Sequence, residues 1–224
     1  MSGVLGLLGG TFDPVHLGHR RLADAALASG AVDRVRWIPA GLPPHRSGPQ
    51  ASAAHRLALV RLLIADQPAF ELDISEVDTA ARGEPSYTVH TLERLRREFG
   101  AARPLALILG ADAFLGLPDW HRWQDIPLLA HLLVTTRPGS ILDHDHLPAA
   151  LHRLWTETRT DDPAKLATRP GGLIHCFTMT PQTISATELR RRLPDPAASL
   201  DGLLPDVLVR YIRHHHLYCR APWN

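Results

Sequence analysis

Lysine is almost absent from this chain, since none precedes Lys165. The P-loop type of phosphate site ends in Gly-Lys-Ser or Gly-Lys-Thr, so the sequence upstream of that lysine contains no such site. Cysteine is scarce as well, and Cys176 and Cys219 are too few for a disulfide framework. A chain without a disulfide framework fits a reducing compartment, so the expected localisation is cytoplasmic.

An excess of charge of either sign is also missing, because 24 lysine and arginine residues stand against 23 aspartate and glutamate residues. A general nucleic-acid binder usually carries a basic excess on one face, so no nucleic-acid partner is expected. No apolar run approaches the length of a membrane-spanning helix, and no signal-peptide pattern precedes the first predicted strand. These features predict no membrane partner, and they leave the oligomeric state open.

A predicted strand, a glycine turn and a helix start follow one another near residue 10. The apolar run 4–8 ends at the pair Gly9-Gly10, which is typical of a buried strand leading into a tight turn. Glycine lacks a Cβ, so backbone N–H groups there can approach a ligand closely. His16 and His19 lie three positions apart at the start of the next helix and therefore share one face. Because a helix N-terminus presents unpaired N–H groups, this segment predicts a phosphate site with two imidazole donors.

A second helix start of interest follows Ser185. Ser185 and Glu188 form a capping box, in which the serine oxygen accepts a backbone N–H and the glutamate bonds back. In the alternative interpretation Ser185 and Thr187 contact a phosphate, and Arg190, one turn along, supplies a fork-shaped cation. Taken alone, this segment does not decide between a cap and a ligand site.

Strand and helix patterns alternate from residue 1 to about residue 135, which predicts an α/β fold with a Rossmann-like, doubly wound parallel sheet. Strands are predicted over residues 35–38, 70–74, 105–109, 130–134 and 173–177, and helices over 53–65, from a Ser86 cap to Phe99, and over 147–158. The polar face of the helix after Ser86, which includes Arg96, is interpreted as solvated.

Residues 138–172 break this alternation and are interpreted as a peripheral insertion in a single domain that spans residues 1–224. Within them, the run Asp143–His146 contains residue types that bind metals. The run lies in a polar segment flanked by proline and glycine, so a solvated loop is the preferred interpretation. No metal site formed by protein side chains is expected.

The first segment resembles a known family motif. Gly9-Gly10-Thr11-Phe12-Asp13-Pro14, followed by His16, Gly18 and His19, is similar to the His-x-Gly-His motif of nucleotidyltransferases in its bacterial nicotinate-mononucleotide adenylyltransferase form. The segment Ile184–Arg190 resembles that family's second phosphate motif, with Ala186 in place of a serine. The resemblance implies these ATP-binding residues: Gly9, Gly10, Thr11, Phe12, His16, Gly18, His19, Gly110, Asp112, Ile184, Ser185, Thr187 and Arg190. It also implies catalytic roles for His16 and His19 as neutral hydrogen-bond donors.

The resemblance extends to a second substrate. It implies adenylyl transfer from ATP, carried with Mg²⁺, to nicotinate mononucleotide, with deamido-NAD and pyrophosphate as products. The implied mononucleotide residues are His45, Arg46, Tyr87, Thr88, Trp120, His121 and Arg137. His90 stands where the family usually has an acidic residue, and Arg46 stands in place of a lysine. The alternatives are another acceptor, namely nicotinamide mononucleotide or phosphopantetheine, or a non-catalytic nucleotide-binding module.

Overall fold

The structure is a computed structural model that describes residues 3–41, 48–136, 142, 147–180 and 184–219. The strands are β1 (Leu5–Gly10), β2 (Arg34–Pro39), β3 (Phe70–Leu72), β4 (Leu105–Gly110), β5 (His131–Thr136), β6 (Arg159–Thr160) and β7 (Ile174–Thr178). The helices are α1 (Leu17–Ala28), α2 (Ala53–Ile64), α3 (Ser75–Ala81), α4 (Thr88–Phe99), α5 (Ala111–Leu115), α6 (Ile126–Leu129), α7 (Ala149–Thr158), α8 (Ala186–Arg192) and α9 (Asp206–His214). Within these ranges no helix combines the length and the apolar character that a bilayer span requires.

The strands form one seven-stranded sheet in the order β3-β2-β1-β4-β5-β7-β6. The pairs β1–β4, β4–β5, β5–β7 and β6–β7 are parallel. The apolar residues Leu105–Leu109 of β4 are all buried, as expected for a strand covered on both faces. The strand order reverses direction after β1, which is the doubly wound arrangement. The predicted Rossmann-like α/β fold is therefore confirmed.

Contacts divide the chain into two compact units, and each unit is assembled from separate stretches. The first comprises residues 1–8, 22–36 and 86–181, and the second comprises residues 9–21, 37–85 and 182–224. The first unit holds β4 to β7 and α4 to α7, whereas the second holds α2, α3, α8 and α9. The expectation of a single domain over residues 1–224 stays a prediction.

In the first unit, the described part of the segment 138–172 supplies the edge of the sheet. Strand β6 pairs with β7, and the His175 ring lies 3.0 Å from the Thr160 carbonyl oxygen. The buried His131 ring accepts the Leu173 N–H through Nδ1, while its Nε2 faces two carbonyl oxygens at 3.0 Å. These contacts fasten the described part of the segment to β5 and β7, and the interpretation of residues 138–172 as a peripheral insertion stays a prediction.

Three local predictions need correction. The N-cap of α4 is Tyr87, not Ser86, and no side chain caps that helix. Strand β3 is shorter than predicted because Asp73 accepts the Ser75 N–H at 2.9 Å, which starts α3. Arg96 is half-buried, since its guanidinium donates to backbone carbonyls such as that of Pro170, and it is not part of a merely solvated face.

Candidate active site

The turn that joins β1 to α1 lies in the second unit and is tightly folded. Phe12 is buried and has a φ of 51°, a left-handed conformation that costs an aromatic residue about 1–3 kcal/mol. A Cβ at Gly10 would lie 2.8 Å from the Phe12 ring, so glycine is required where the ring folds back. A Cβ at Gly9 would meet no atom of the described residues within 4 Å, so that position leaves space beside the backbone.

His16 and His19 stack at the start of α1, with ring centroids 3.8 Å apart. The His16 backbone N–H donates to His19 Nδ1 at 3.3 Å. A neutral imidazole carries one proton, so this bond places the His19 proton on Nε2 and makes that atom a donor. His16 Nδ1 is buried and has no hydrogen-bond partner among the described residues. The pair therefore offers one oriented donor and one ring nitrogen that lacks a partner.

Both imidazoles are neutral at pH 7. Burial lowers the pKa of His16 to about 4. Burial, with a smaller contribution from His16, also lowers the pKa of His19 well below its ordinary value. Burial is therefore the main cause of the expected neutrality of the two rings. Neutral donors fit the role of binding oxygen atoms without taking part in acid–base catalysis.

The helix α8 begins beside this turn in the same unit. A Cβ on Gly18 would lie 3.6 Å from the Ile184 Cβ, and Arg190 Nη1 donates to the Asp13 carbonyl at 2.6 Å. Arg190 Nη2 also donates to Thr187 Oγ1 at 3.4 Å. The two predicted phosphate segments, 9–19 and 184–190, thus lie together. The Arg190 guanidinium is partly engaged by the turn itself, which the sequence did not predict.

The predicted capping box is only half formed. Ser185 Oγ accepts the Glu188 N–H at 3.1 Å, as expected of an N-cap. The Glu188 carboxylate does not bond back, because it pairs with Arg192 at 2.8 Å. Ser185 and Thr187 are both exposed and remain accessible to a ligand.

The described residues predicted for the mononucleotide lie in the first unit. The Tyr87 and His121 rings are 4.4 Å apart, and His90 packs edge-on against Tyr87 at 5.4 Å. Thr88 starts α4, and Trp120 follows a short turn closed by its N–H to the Leu117 carbonyl at 3.0 Å. Tyr87, His90 and His121 therefore form a cluster of rings that is partly open to solvent.

The remaining residues predicted for the two substrates and the possible metal run are placed as follows. Gly110 ends β4, and the exposed Asp112 lies in the first turn of α5, both in the first unit. His45, Arg46, Arg137 and the run Asp143–His146 lie outside the described residues. Within the described part of the chain, no group of three or more His, Cys, Asp or Glu side chains could hold a metal ion.

Asp13 organises the turn, a role that its place in the sequence motif does not reveal. One carboxylate oxygen accepts the Tyr218 hydroxyl at 2.8 Å and the Ala51 N–H at 3.1 Å, and the other accepts the Gln50 N–H at 2.8 Å. Because Tyr218 is 205 residues away along the chain, no local pattern signals this contact.

Arg56 is a second supporting residue that was not predicted from the sequence. It is 1% exposed, and its guanidinium donates to the Thr11 carbonyl at 2.6 Å and to the Gly41 carbonyl at 3.5 Å. Burial lowers the pKa of Arg56, while the charge of Asp13 raises it. The sequence does contain a sign of this role: Arg56 is the one charged residue on the otherwise apolar, buried face of α2 that begins there. A buried charge needs partners, which indicates that Arg56 binds polar groups inside the fold.

Comparison with known proteins shows the family to which this chain belongs. The family model described as cytidylyltransferase-like matches residues 7–192. A probable nicotinate-nucleotide adenylyltransferase from Dechloromonas aromatica is 51% identical over 97% of this chain and 99% of the relative. This chain belongs to the nicotinate-nucleotide adenylyltransferase family. A further family member, from Pseudomonas paraeruginosa, is 42% identical over 97% of this chain and 98% of its own.

Solved structures confirm the adenylyltransferase fold. The Plasmodium falciparum nicotinic acid mononucleotide adenylyltransferase, complexed with NaAD, matches with a TM-score of 0.71 at 14% identity. The match covers 96% of this chain and 97% of that one. A structure from Vibrio parahaemolyticus, titled a putative nicotinate-nucleotide adenylyltransferase, matches with a TM-score of 0.61. At this identity the likeness concerns the fold alone.

Proposed function

We propose that this chain transfers the adenylyl group of ATP to nicotinate mononucleotide and releases pyrophosphate, which makes deamido-NAD. The observation that carries the proposal is the stacked, neutral pair His16 and His19. Arg190 of the same unit donates a hydrogen bond to the turn that precedes this pair. Near-full-length relatives named for this activity support it. The Plasmodium enzyme, which shares the fold, has been solved with NaAD.

In the proposed reaction an oxygen of the mononucleotide 5′-phosphate attacks the α-phosphorus of ATP in line. The new P–O bond forms as the bond to the leaving pyrophosphate breaks. The attacking phosphate is already an anion, so no general base is needed, and catalysis depends on alignment and charge stabilisation. His19 supplies its Nε2–H to the crowded phosphate oxygens, and one such donor is typically worth about 10²–10³ in rate.

The phosphate chain of ATP is assigned to the turn between β1 and α1 and to the start of α8. Gly9 leaves room beside its backbone, and the first turn of α1 presents N–H groups to an anion. Ser185, Thr187 and Arg190 are assigned to the same phosphates. We assign Gly110 and Asp112 to the nucleoside part of ATP.

Mg²⁺ is proposed to enter as part of the substrate MgATP. The Asp13 carboxylate is already occupied by three donors, and Glu188 is paired with Arg192. A hard cation that keeps several waters is commonly held by substrate phosphates, which suits a turn with no spare carboxylate. The proposed compartment is the cytoplasm, where the free thiols Cys176 and Cys219 stay reduced.

The mononucleotide is assigned to the first unit, where Tyr87, Thr88, Trp120 and His121 lie. The partly exposed rings of Tyr87 and His121 offer a surface on which a pyridine ring can stack. By resemblance alone, Arg137 is assigned to the phosphate of the mononucleotide, and His45 and Arg46 are assigned to mononucleotide binding.

Pyrophosphate release, measured with MgATP and each acceptor in turn, tests the proposal. We expect turnover with nicotinate mononucleotide to exceed turnover with nicotinamide mononucleotide or phosphopantetheine. A preference for either of the other acceptors would replace the substrate assignment. ATP binding without pyrophosphate release from any of them would support the non-catalytic module.

A further inference from the structure

The turn between β1 and α1 is held by side chains that do not belong to either phosphate motif. We propose that Tyr218 is a positioning residue for His19 and acts through Asp13 and Phe12. This inference rests on the proposed function, because it takes His19 as the donor to the reacting phosphate. All four residues lie in the second unit.

The first link is the contact between Tyr218 and Asp13. The Tyr218 hydroxyl donates to Asp13 Oδ1 at 2.8 Å, and both side chains are buried. Burial, followed by the Asp13 charge, raises the pKa of Tyr218 far above its ordinary value, so the hydroxyl remains a donor. Tyr218 has a φ of 60°, so the turn after α9 adopts an unfavourable backbone conformation that brings this ring inward.

The second link is the backbone around Phe12. The carbonyl before Phe12 accepts from Arg56, and the carbonyl of Asp13 accepts from Arg190. The Asp13 side chain is fixed by Tyr218 and by two backbone N–H groups. Because bonds on both sides fix the chain, Phe12 stays in its left-handed conformation, with a φ of 51°.

The third link is the contact between Phe12 and His19. The Phe12 ring meets the His19 ring edge-on at 5.0 Å, while His16 stacks on His19 at 3.8 Å. Phe12 and His16 together set the plane of the His19 imidazole, and hence the direction of its Nε2–H. Loss of the Tyr218 hydroxyl would loosen Asp13, then Phe12, and would widen the range of His19 orientations.

The test is the conservative variant Tyr218→Phe, which removes one oxygen and keeps the ring. We expect kcat per folded enzyme to fall at least about fivefold with both KM values within about twofold, because a misdirected donor is lost mainly in the transition state. The matched control is Tyr211→Phe, which removes a hydroxyl 3.0 Å from His55 Nδ1 in the same unit. We expect this control to leave kcat unchanged.

A double-mutant cycle separates positioning from general stability. In the His19→Ala background, Tyr218→Phe should lower kcat no further, because the residue that it positions is gone. An equal fold-loss in both backgrounds would overturn the inference. So would a lowered unfolding midpoint with an unchanged kcat per folded enzyme.

A readout without turnover keeps this inference distinct from the proposed function. The ¹⁵N resonances of the His19 ring should change in Tyr218→Phe and stay unchanged in Tyr211→Phe. Unchanged resonances in Tyr218→Phe would overturn the positioning role whatever the enzyme's acceptor is. Failure of the wild-type protein to release pyrophosphate, with the His19 resonances still shifted by Tyr218→Phe, would instead overturn only the proposed function.

Discussion

His19 is expected to contribute to turnover through a single hydrogen bond from Nε2. In His19→Ala that donor is lost, and we expect kcat to fall at least about tenfold, a threshold set below the about 10²–10³ in rate that one such donor typically supplies. The fold should persist, because alanine is a strong helix former and the backbone N–H at residue 19 still donates to the His16 carbonyl. Steady-state pyrophosphate release and circular dichroism would measure both effects. A folded variant with wild-type kcat would remove His19 from the mechanism.

His16 should make folding stability depend on pH. Its pKa is about 4 in the folded chain and about 6.5 when unfolded, so below pH 6.5 the unfolded state binds more protons. The free energy of unfolding therefore falls as the pH drops from 6.5 towards 4, by up to about 3 kcal/mol from this residue. Urea unfolding at several pH values would measure it.

The variant His16→Asn is the control for that pH dependence. Without an imidazole at this position, the free energy of unfolding should fall less steeply between pH 6.5 and 4, because the contribution of His16 is gone. Parallel curves for the variant and the wild-type protein would show that His16 is not the group responsible.

Sequence spacing was sufficient to predict that the two histidines lie together, but it did not predict the residues that hold their turn in place. His16 and His19 are three residues apart on a helix, so their shared face follows from helical geometry alone. Asp13 and Tyr218 meet only because the chain folds, and Arg56 serves carbonyl groups that carry no side-chain signal. Residues that bind backbone atoms across long separations are not visible in a local pattern.

At the scale of single elements, the question for α8 is whether Ser185 only caps the helix or also binds ATP. Two capping serines, Ser185 and Ser52, provide a matched comparison. Ser185→Ala and Ser52→Ala each remove a capping oxygen from a helix of the second unit. Both should cost about 0.5–2 kcal/mol in the free energy of unfolding. We expect only Ser185→Ala to raise the KM for ATP, measured at saturating mononucleotide. Equal, unchanged KM values would leave Ser185 as a cap alone.

Helix α4 shows where pattern reasoning succeeds and fails within one element. Val89, Leu92 and Leu95 recur at helical spacing, which predicts one apolar face, and all three are buried. Arg96 was assigned to the solvated face because charge usually indicates exposure, yet its guanidinium donates to the Leu129 and Pro170 carbonyls. A long arginine side chain can satisfy buried carbonyls while its charge stays near the surface, and composition does not reveal this.

At the scale of the whole molecule, long apolar strands were predictable and short polar ones were not. Strand β4 is predicted as a central strand because its residues Leu105–Leu109 are all apolar. Strand β6 has only two residues, Arg159 and Thr160, and exists because β7 supplies hydrogen bonds and the His175 ring meets its carbonyl. The doubly wound parallel sheet follows from alternating strands and helices, whereas the edge strand depends on pairing that forms only in the folded chain.

The proposed assignment places the two substrates largely in different units, which leads to a prediction for Trp120. Trp120 lies in the first unit, whereas the turn and α8, assigned to the ATP phosphates, lie in the second. We expect Trp120→Ala to raise the KM for nicotinate mononucleotide roughly three- to tenfold, since stacking contributes about 0.5–1.5 kcal/mol beyond area burial. The KM for ATP should stay nearly unchanged, and Trp120→Phe should retain most of the mononucleotide affinity because it keeps an aromatic face. Equal losses for both substrates in steady-state titrations would contradict stacking on Trp120 and point to a general disturbance of the first unit.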